Sequence, residues 1–173
     1  PADLKKYLNK TLEANLKGAQ SSEKILFFTN AGVLALKLND QESYLKTQQA
    51  LLNQPGLSET EKQQIFATMT SYYEKRLDFN QAYFWAKKIN NAKIPVQEKE
   101  FRLGTLADLA NAHPEKHYKA ALKLGLKDAR SLVIRSRLVA LSSNPIAELK
   151  RQAPELKRKP QLLNDLVLMV YAR

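Results

Sequence analysis

The chain has 173 residues, no cysteine and a formal net charge of +11. It is long enough for one domain whose core needs no metal or disulfide for stability. The lack of cysteine excludes a disulfide framework, thiolate metal sites and cysteine nucleophiles, but it is compatible with either a cytoplasmic or a periplasmic location. Five glycines and seven prolines, with few consecutive β-branched residues, predict an all-α protein.

Most of the excess positive charge lies in one part of the chain. Residues 115–159 hold 12 Lys and Arg against 4 Asp and Glu, whereas residues 1–114 hold 15 against 12. No apolar run approaches the roughly 20 residues of a membrane-spanning helix, so no transmembrane segment is predicted. The chain starts at Pro1 and lacks a secretory-signal pattern, so we expect a processed chain or a fragment of a larger protein.

Apolar spacing together with helix start and stop signals predicts about ten helices. The second helix has apolar residues around much of its circumference and is expected to be largely buried. Ser58 and Glu61 have the spacing of a capping box, which predicts the start of the fourth helix. In the first half of the chain the helices are expected near residues 2–16, 21–38, 41–53 and 58–76, followed by a partner helix that contains residues 82–89.

In the second half, helices are expected near residues 96–112, 114–124 and 128–142, with a short one after Pro145 and a last one after Pro160. The last helix has an apolar stripe on one face, and this stripe predicts contact with a neighbouring domain through residues 161–172. Its members are Leu162, Leu163, Leu166, Val167, Val170 and Tyr171.

Two segments of the chain repeat each other. Phe28 and Phe66 lie 38 residues apart, as do Asp40 and Asp78 in the turns that follow. Because one helix pair cannot bury its apolar stripe alone, repeated pairs are expected to stack. The short turn after the fourth helix predicts that it packs antiparallel to its partner.

The second segment, Phe66-x2-Met69-Thr70-x2-Tyr73 followed by Leu77-Asp78-Phe79 and Ala82, resembles the W-x2-L-G-x2-Y pattern, turn and small residue of the tetratricopeptide (TPR) repeat family. The first segment, Phe28-x2-Ala31-Gly32-x2-Ala35 followed by Asn39-Asp40, has the same form. The 38-residue spacing exceeds the family's, about 34 residues, by one helical turn.

The resemblance implies a single domain over residues 1–173, built as a right-handed α-solenoid of antiparallel helix pairs. The best repeats are residues 24–57 and 59–95. Beyond residue 100, HEAT-like pairs are an alternative, and a closed helical bundle is the alternative for the whole chain. In the family, the first helix of each pair forms a concave, peptide-binding face. By this resemblance, the concave face of the present chain is expected to contain Thr29, Lys37, Gln64, Ser71, Glu74 and Lys75.

Residues 115–159 also contain a candidate binding surface. Several of the basic residues advance by three or four positions and are expected to form a ridge, which attracts anionic ligands such as nucleic acid, anionic lipid or acidic polysaccharide. The alternative is an ordinary solvated face. The candidate anionic-ligand surface consists of Lys116, Lys119, Lys123, Lys127, Arg130, Arg135 and Arg137.

His113 and His117, with Glu115 between them, have a spacing that can place two imidazoles on one helical face for a metal. Pro114 suits the first helical position and Glu115 suits the positive helix start, so a structural role is the preferred interpretation. Nothing resembles a phosphate-binding loop or a nucleophile motif. We therefore predict no metal, no cofactor and no catalytic residue in this chain.

Three functional hypotheses follow. The first is a non-catalytic protein-interaction scaffold that binds a peptide or partner protein, as part of a larger assembly or of a secretion or envelope component. The second is an electrostatic binder of a polyanion through the basic third of the chain. The third is a helical accessory domain of an enzyme whose catalytic module lies elsewhere.

Overall fold

The computed structural model describes residues 2–12, 16–156 and 160–171. These ranges form ten α-helices and contain no strand, so the predicted all-α class is confirmed. None of the described helices combines the length and the apolar character that crossing a membrane requires. The helices are α1 Ala2–Leu12, α2 Ser21–Lys37, α3 Gln41–Leu52, α4 Glu59–Lys75, α5 Phe79–Ala86, α6 Val96–Leu109, α7 Glu115–Lys123, α8 Asp128–Leu141, α9 Pro145–Leu156 and α10 Pro160–Tyr171.

The start of α4 is the capping box expected from the sequence. The backbone N–H of Ser58 donates to Glu61 Oε2 at 2.8 Å, and the N–H of Glu61 donates to Ser58 Oγ at 3.3 Å. Each side chain thus satisfies a backbone group that the first helical turn leaves without a partner. The hydrogen bonds from Ser58 lower the pKa of Glu61.

Four helix–helix turns in the described chain share one backbone geometry, and in the fourth, between α7 and α8, the residue with positive φ is Gly125, at 90°. Asn39, Leu77 and Asn111 each take a positive φ, of 53°, 59° and 53°. In each turn the next residue donates its N–H to the carbonyl five positions earlier, at 2.7–3.0 Å, as in a Schellman motif. The third turn follows the second by 34 residues, so the geometry recurs beyond the two predicted repeats. It also ends α6 at Leu109, three residues earlier than expected.

The sequence also contains a signal for a third helix pair, α6 and α7, that was not identified as a repeat. Leu103 and Gly104 follow Met69 and Thr70 by 34 residues. Gly104 is required by a close approach, because a Cβ at this position would lie only 2.5 Å from Cδ1 of Tyr118 on α7. The small residue therefore allows α6 and α7 to pack closely.

Helices pack chiefly against their neighbours in the chain. The most extensive contacts join α2 to α3, α4 to α5 and α6 to α7, while α10 packs against α8 and α9. Apolar clusters fill the spaces between the helices. One cluster lies between α3 and α4, and a second joins α7 to α8 through Tyr118, Ile134 and Leu138.

The expectation that α2 is largely buried is wrong. Its buried residues are the small ones, Ala31, Gly32 and Ala35, whereas Leu26 is 63 % exposed and Leu36 is 54 % exposed. The helix packs mainly against α1 and α3. An apolar side of α2 is consequently left open to solvent.

The stripe on α10 is covered within the chain as far as it is described. Leu166 is fully buried, and Leu162, Leu163 and Val167 are half-buried. The contacts of α10 with α8 and α9 explain this burial. These two helices reduce the apolar area that a further partner could cover, and contact with a neighbouring domain through residues 161–172 stays a prediction. The side chains of Val170 and Tyr171 lie outside the described part.

Candidate functional site

A groove lies between α2 and α4 and has a volume of about 300 Å³. Thr29, Val33 and Leu36 line it from α2, and Gln64 and Thr68 line it from α4. Side chains of α3 and of the turn after it close its floor. Val33 is 49 % exposed, so the apolar wall of the groove is accessible to a ligand.

The structure brings together two of the six residues predicted for the concave face. Thr29 and Gln64, which belong to α2 and α4, line opposite sides of this α2–α4 groove. Lys37, Ser71 and Lys75 are exposed, but they do not line the groove. Neither does Glu74, whose carboxylate is engaged with α6.

Ion pairs connect alternate helices. Glu74 on α4 accepts a hydrogen bond from Nη2 of Arg102 on α6 at 3.1 Å. One turn earlier on α6, Glu98 pairs with Arg130 on α8. All four side chains are about one-third to one-half exposed, so each pair contributes modestly to stability. Their value is positional, because they hold α4, α6 and α8 in register along one side of the molecule.

The third ion pair, which also joins α6 to α8, is more enclosed. Asp108 accepts hydrogen bonds from Nε and Nη2 of Arg137 at 2.6 and 2.7 Å, which is a bidentate arrangement. The hydroxyl of Tyr118 also donates to this carboxylate at 3.2 Å. Hydrogen bonding to Asp108 raises the pKa of Arg137, and burial, followed by the Asp108 charge, raises the pKa of Tyr118 to about 12.

A second cavity, of about 390 Å³, lies at the junction of α5, the following loop and α6. Ile89, Ile94 and Phe101 supply apolar lining. The charged lining consists of Lys99, Arg102, Arg130 and Glu98, of which Arg102 is paired with Glu74 and Arg130 with Glu98. Such a cavity suits an apolar side chain.

Four basic side chains from three helices converge on a further cavity, of about 360 Å³, which we call the basic cleft. Arg135 on α8 is its most buried member, with a side chain only 11 % exposed. Its Nη2 donates to Glu155 Oε2 at 2.8 Å. Within the described chain, no acceptor lies within hydrogen-bonding distance of Arg135 Nε or Nη1. The cleft is lined by Lys119, Leu122, Lys123, Arg135, Arg151 and Glu155.

The predicted anionic-ligand surface is therefore divided. Lys119, Lys123 and Arg135 meet in the basic cleft, whereas Lys116 and Lys127 are exposed outside its lining. The remaining two members, Arg130 and Arg137, face carboxylates of α6. Sequence reasoning did not select Arg151, which completes the cleft. The sequence showed a local excess of basic residues that includes Arg151, but an excess along the chain does not indicate which side chains converge in space.

His117 lies in a hydrogen-bonded network. Its Nδ1 is 2.8 Å from Glu100 Oε2, and its Nε2 is 2.8 Å from the hydroxyl oxygen of Tyr83. Burial raises the pKa of Tyr83, with a smaller effect of the Glu100 charge. These contacts connect α5, α6 and α7. No group of three or more His, Cys, Asp or Glu among the described residues is placed to hold a metal ion.

No protein-family model matches the chain, and no curated protein and no solved structure is significantly similar to it.

Proposed function

We propose that this chain is a non-catalytic protein-interaction scaffold, built as a TPR-like solenoid of helix pairs, that binds an extended peptide segment of a partner in the α2–α4 groove. The partner belongs to a larger assembly in which this chain supplies the binding surface. The recurring turns at Asn39, Leu77 and Asn111 support the solenoid, because each joins the two helices of one pair, and pairs of similar geometry are suited to stack.

The accessible apolar wall of the α2–α4 groove is the observation that carries the binding proposal. Val33 and Leu36 are about half-exposed although α2 lies next to the core. Thr29, Gln64 and Thr68 add polar groups on both sides. A groove that is apolar with a few polar groups is suited to bind alternate side chains of a peptide.

The cavity beside Phe101 offers the same peptide a second contact. Its apolar lining favours an apolar residue, and Lys99 in the lining favours an acidic residue next to it. A partner segment of this composition is also attracted by the positive net charge of the chain.

The test is selection from a display library of random short peptides, followed by affinity measurement by isothermal titration calorimetry. Val33→Glu places a charge in the groove wall and should weaken binding of the selected peptides at least about tenfold, because it removes apolar contact worth about 1.5 kcal/mol or more. The matched control is Val133→Glu on α8, where the valine is 53 % exposed outside the groove.

The proposal requires that Val133→Glu retains the affinity of the unmodified chain. Circular dichroism and thermal unfolding of both variants verify that each remains folded. Equal affinity of the two variants, or a library that yields no saturable binder, would contradict the proposed groove.

Polyanion binding is the second candidate, and the convergence of Lys119, Lys123, Arg135 and Arg151 favours a compact form of it over an extended ridge. The accessory-domain hypothesis has less support, because α8 and α9 cover the described part of the α10 stripe that motivated it.

A further inference from the structure

We propose that the basic cleft is a binding site for one phosphate monoester group of a small ligand. The site is independent of the α2–α4 groove, since its residues lie on α7, α8 and α9. It therefore goes beyond the proposed scaffold function, and it can be tested without a peptide.

The cations reach the cleft from three directions. Lys119 and Lys123 lie one turn apart on α7, Arg135 comes from α8, and Arg151 comes from α9. Their arrangement encloses a volume of about 360 Å³, which is at the lower end of the range for small-ligand pockets. A single anionic group is the matching occupant, because the cations from the three helices converge on one small cavity.

Glu155 marks the position of the anion. Its carboxylate accepts a hydrogen bond from Arg135 at 2.8 Å, yet its side chain is 54 % exposed and sits in the last turn of α9. Arg135 is largely buried, and its Nε and Nη1 are inaccessible, so Nη2 is the atom that it presents to Glu155. An entering oxyanion displaces the exposed Glu155 carboxylate and takes the hydrogen bond from Nη2 of Arg135.

Charge favours a dianion over the resident carboxylate. Four cations and one carboxylate line the cleft. Glu148 is hydrogen-bonded to Arg151 at 2.5 and 2.9 Å, and this hydrogen bonding, with a smaller effect of the charges of Arg151 and Lys119, lowers the pKa of Glu148. The four cations therefore exceed Glu155 and Glu148 by two charges. A phosphate monoester carries nearly two negative charges and three acceptor oxygens at neutral pH. It therefore pairs with more of these donors than one carboxylate does, and Glu155 acts as an internal competitor.

The experiment is an NMR titration with inorganic phosphate at constant ionic strength, following backbone amides and arginine Nε–H signals. We expect saturable shifts confined to α7, α8 and α9. Lys123→Gln should weaken phosphate binding about fivefold, the range of an exposed ion pair. Glu155→Gln should strengthen binding by a similar factor, because it removes the competing charge. A purely structural role of Glu155 would not produce this gain.

Matched controls separate the site from general charge effects. Glu42→Gln on α3 makes the same change in net charge as Glu155→Gln and should leave the affinity unchanged, as should Lys116→Gln and Lys127→Gln. Phosphate shifts that do not saturate, or an affinity that Glu155→Gln does not raise, would overturn the proposal. Equal losses for Lys116→Gln, Lys127→Gln and Lys123→Gln would also overturn it, since they indicate a diffuse basic surface.

Two further ligands define the chemistry. Acetate should bind more weakly than phosphate, and acetate binding of equal strength would overturn the preference for a dianion. Glucose 6-phosphate distinguishes free phosphate from a phosphorylated small molecule. If it binds more tightly than inorganic phosphate, the ligand is a phosphorylated small molecule. If it does not bind, the cleft does not accommodate a phosphate monoester and the proposal is overturned.

Discussion

Gly104→Ala is the most direct test of the close packing between α6 and α7. An added Cβ would lie 2.5 and 2.6 Å from Cδ1 and Cε1 of Tyr118, whereas carbon atoms in contact are normally about 3.5–4.0 Å apart. The ring must therefore move by about 1 Å. It has little freedom to do so, because Tyr118 is 5 % exposed, lies against Ile134 and Leu138, and is hydrogen-bonded to Asp108.

The expected change in the free energy of unfolding has three parts. Overpacking of a core typically costs about 1–3 kcal/mol, and disturbing the Tyr118–Asp108 hydrogen bond adds about 1 kcal/mol. Alanine returns about 1 kcal/mol through its higher helix propensity. The variant should therefore be about 1–3 kcal/mol less stable than the unmodified chain.

Urea unfolding followed by far-UV circular dichroism measures this loss. In the Tyr118→Leu background, the penalty of Gly104→Ala should become smaller, because the clashing ring is absent. Gly32→Ala is the control, since its Cβ would lie 3.0 Å from Thr47 Oγ1, 3.4 Å from Gln48 Nε2 and 3.6 Å from Tyr44 Cδ2, which are all longer distances than those at Gly104. Its effect should stay within about 1 kcal/mol. A Gly104→Ala variant at least as stable as the unmodified chain would refute the packing argument.

Two further predictions concern the helix turns. Leu77 is 73 % exposed and has a φ of 59°, so Leu77→Gly should raise stability by about 0.5–1 kcal/mol, as relief of backbone strain exceeds the added flexibility of the unfolded chain; a lower urea midpoint would contradict this. Asp40 caps α3 through the N–H of Ser43 at 3.0 Å, and Asp40→Ala should cost about 1 kcal/mol at neutral pH. The same backbone hydrogen bond, followed in strength by the Ser43 hydroxyl and the charge of Lys5, lowers the pKa of Asp40 in the folded state. Its contribution is therefore complete above the unfolded pKa, about 3.9, and is lost as the pH falls through the lower folded value. The stability difference between the two proteins should shrink in that acid range, and a constant difference would argue against it.

Local signals predicted the helices well. The Ser58–Glu61 capping box formed as its sequence context indicated. Asp40 and Asp78, which were expected in turns, are the N-caps of α3 and α5. These features depend on neighbours only a few residues apart, so the sequence contains all the information they require. A break between the sixth and seventh helices was expected, but its repetition of the turns at Asn39 and Leu77 was not predicted, because the Leu103–Gly104 signal lacks the aromatic residues of the second repeat.

The candidate sites were predicted only in outline. The excess of basic residues after position 115 was visible in the sequence, but the pairing of Arg130 and Arg137 with carboxylates on α6 was not. Glu98 and Asp108 are about thirty residues away from their partners along the chain. Such contacts arise when helices pack, and no local pattern encodes them.

The sequence by itself determined the all-α class, the helix boundaries within a few residues and the turns at Asn39 and Leu77, since these follow from backbone preferences and capping within single segments. Tertiary structure decided which apolar faces remain open. It left part of α2 exposed and covered the described stripe of α10. It also brought four of the basic residues together in one cleft and placed Arg130 and Arg137 next to carboxylates. The physical reason is that burial and charge pairing depend on which helices pack side by side, and equal stripes on two helices do not specify that choice.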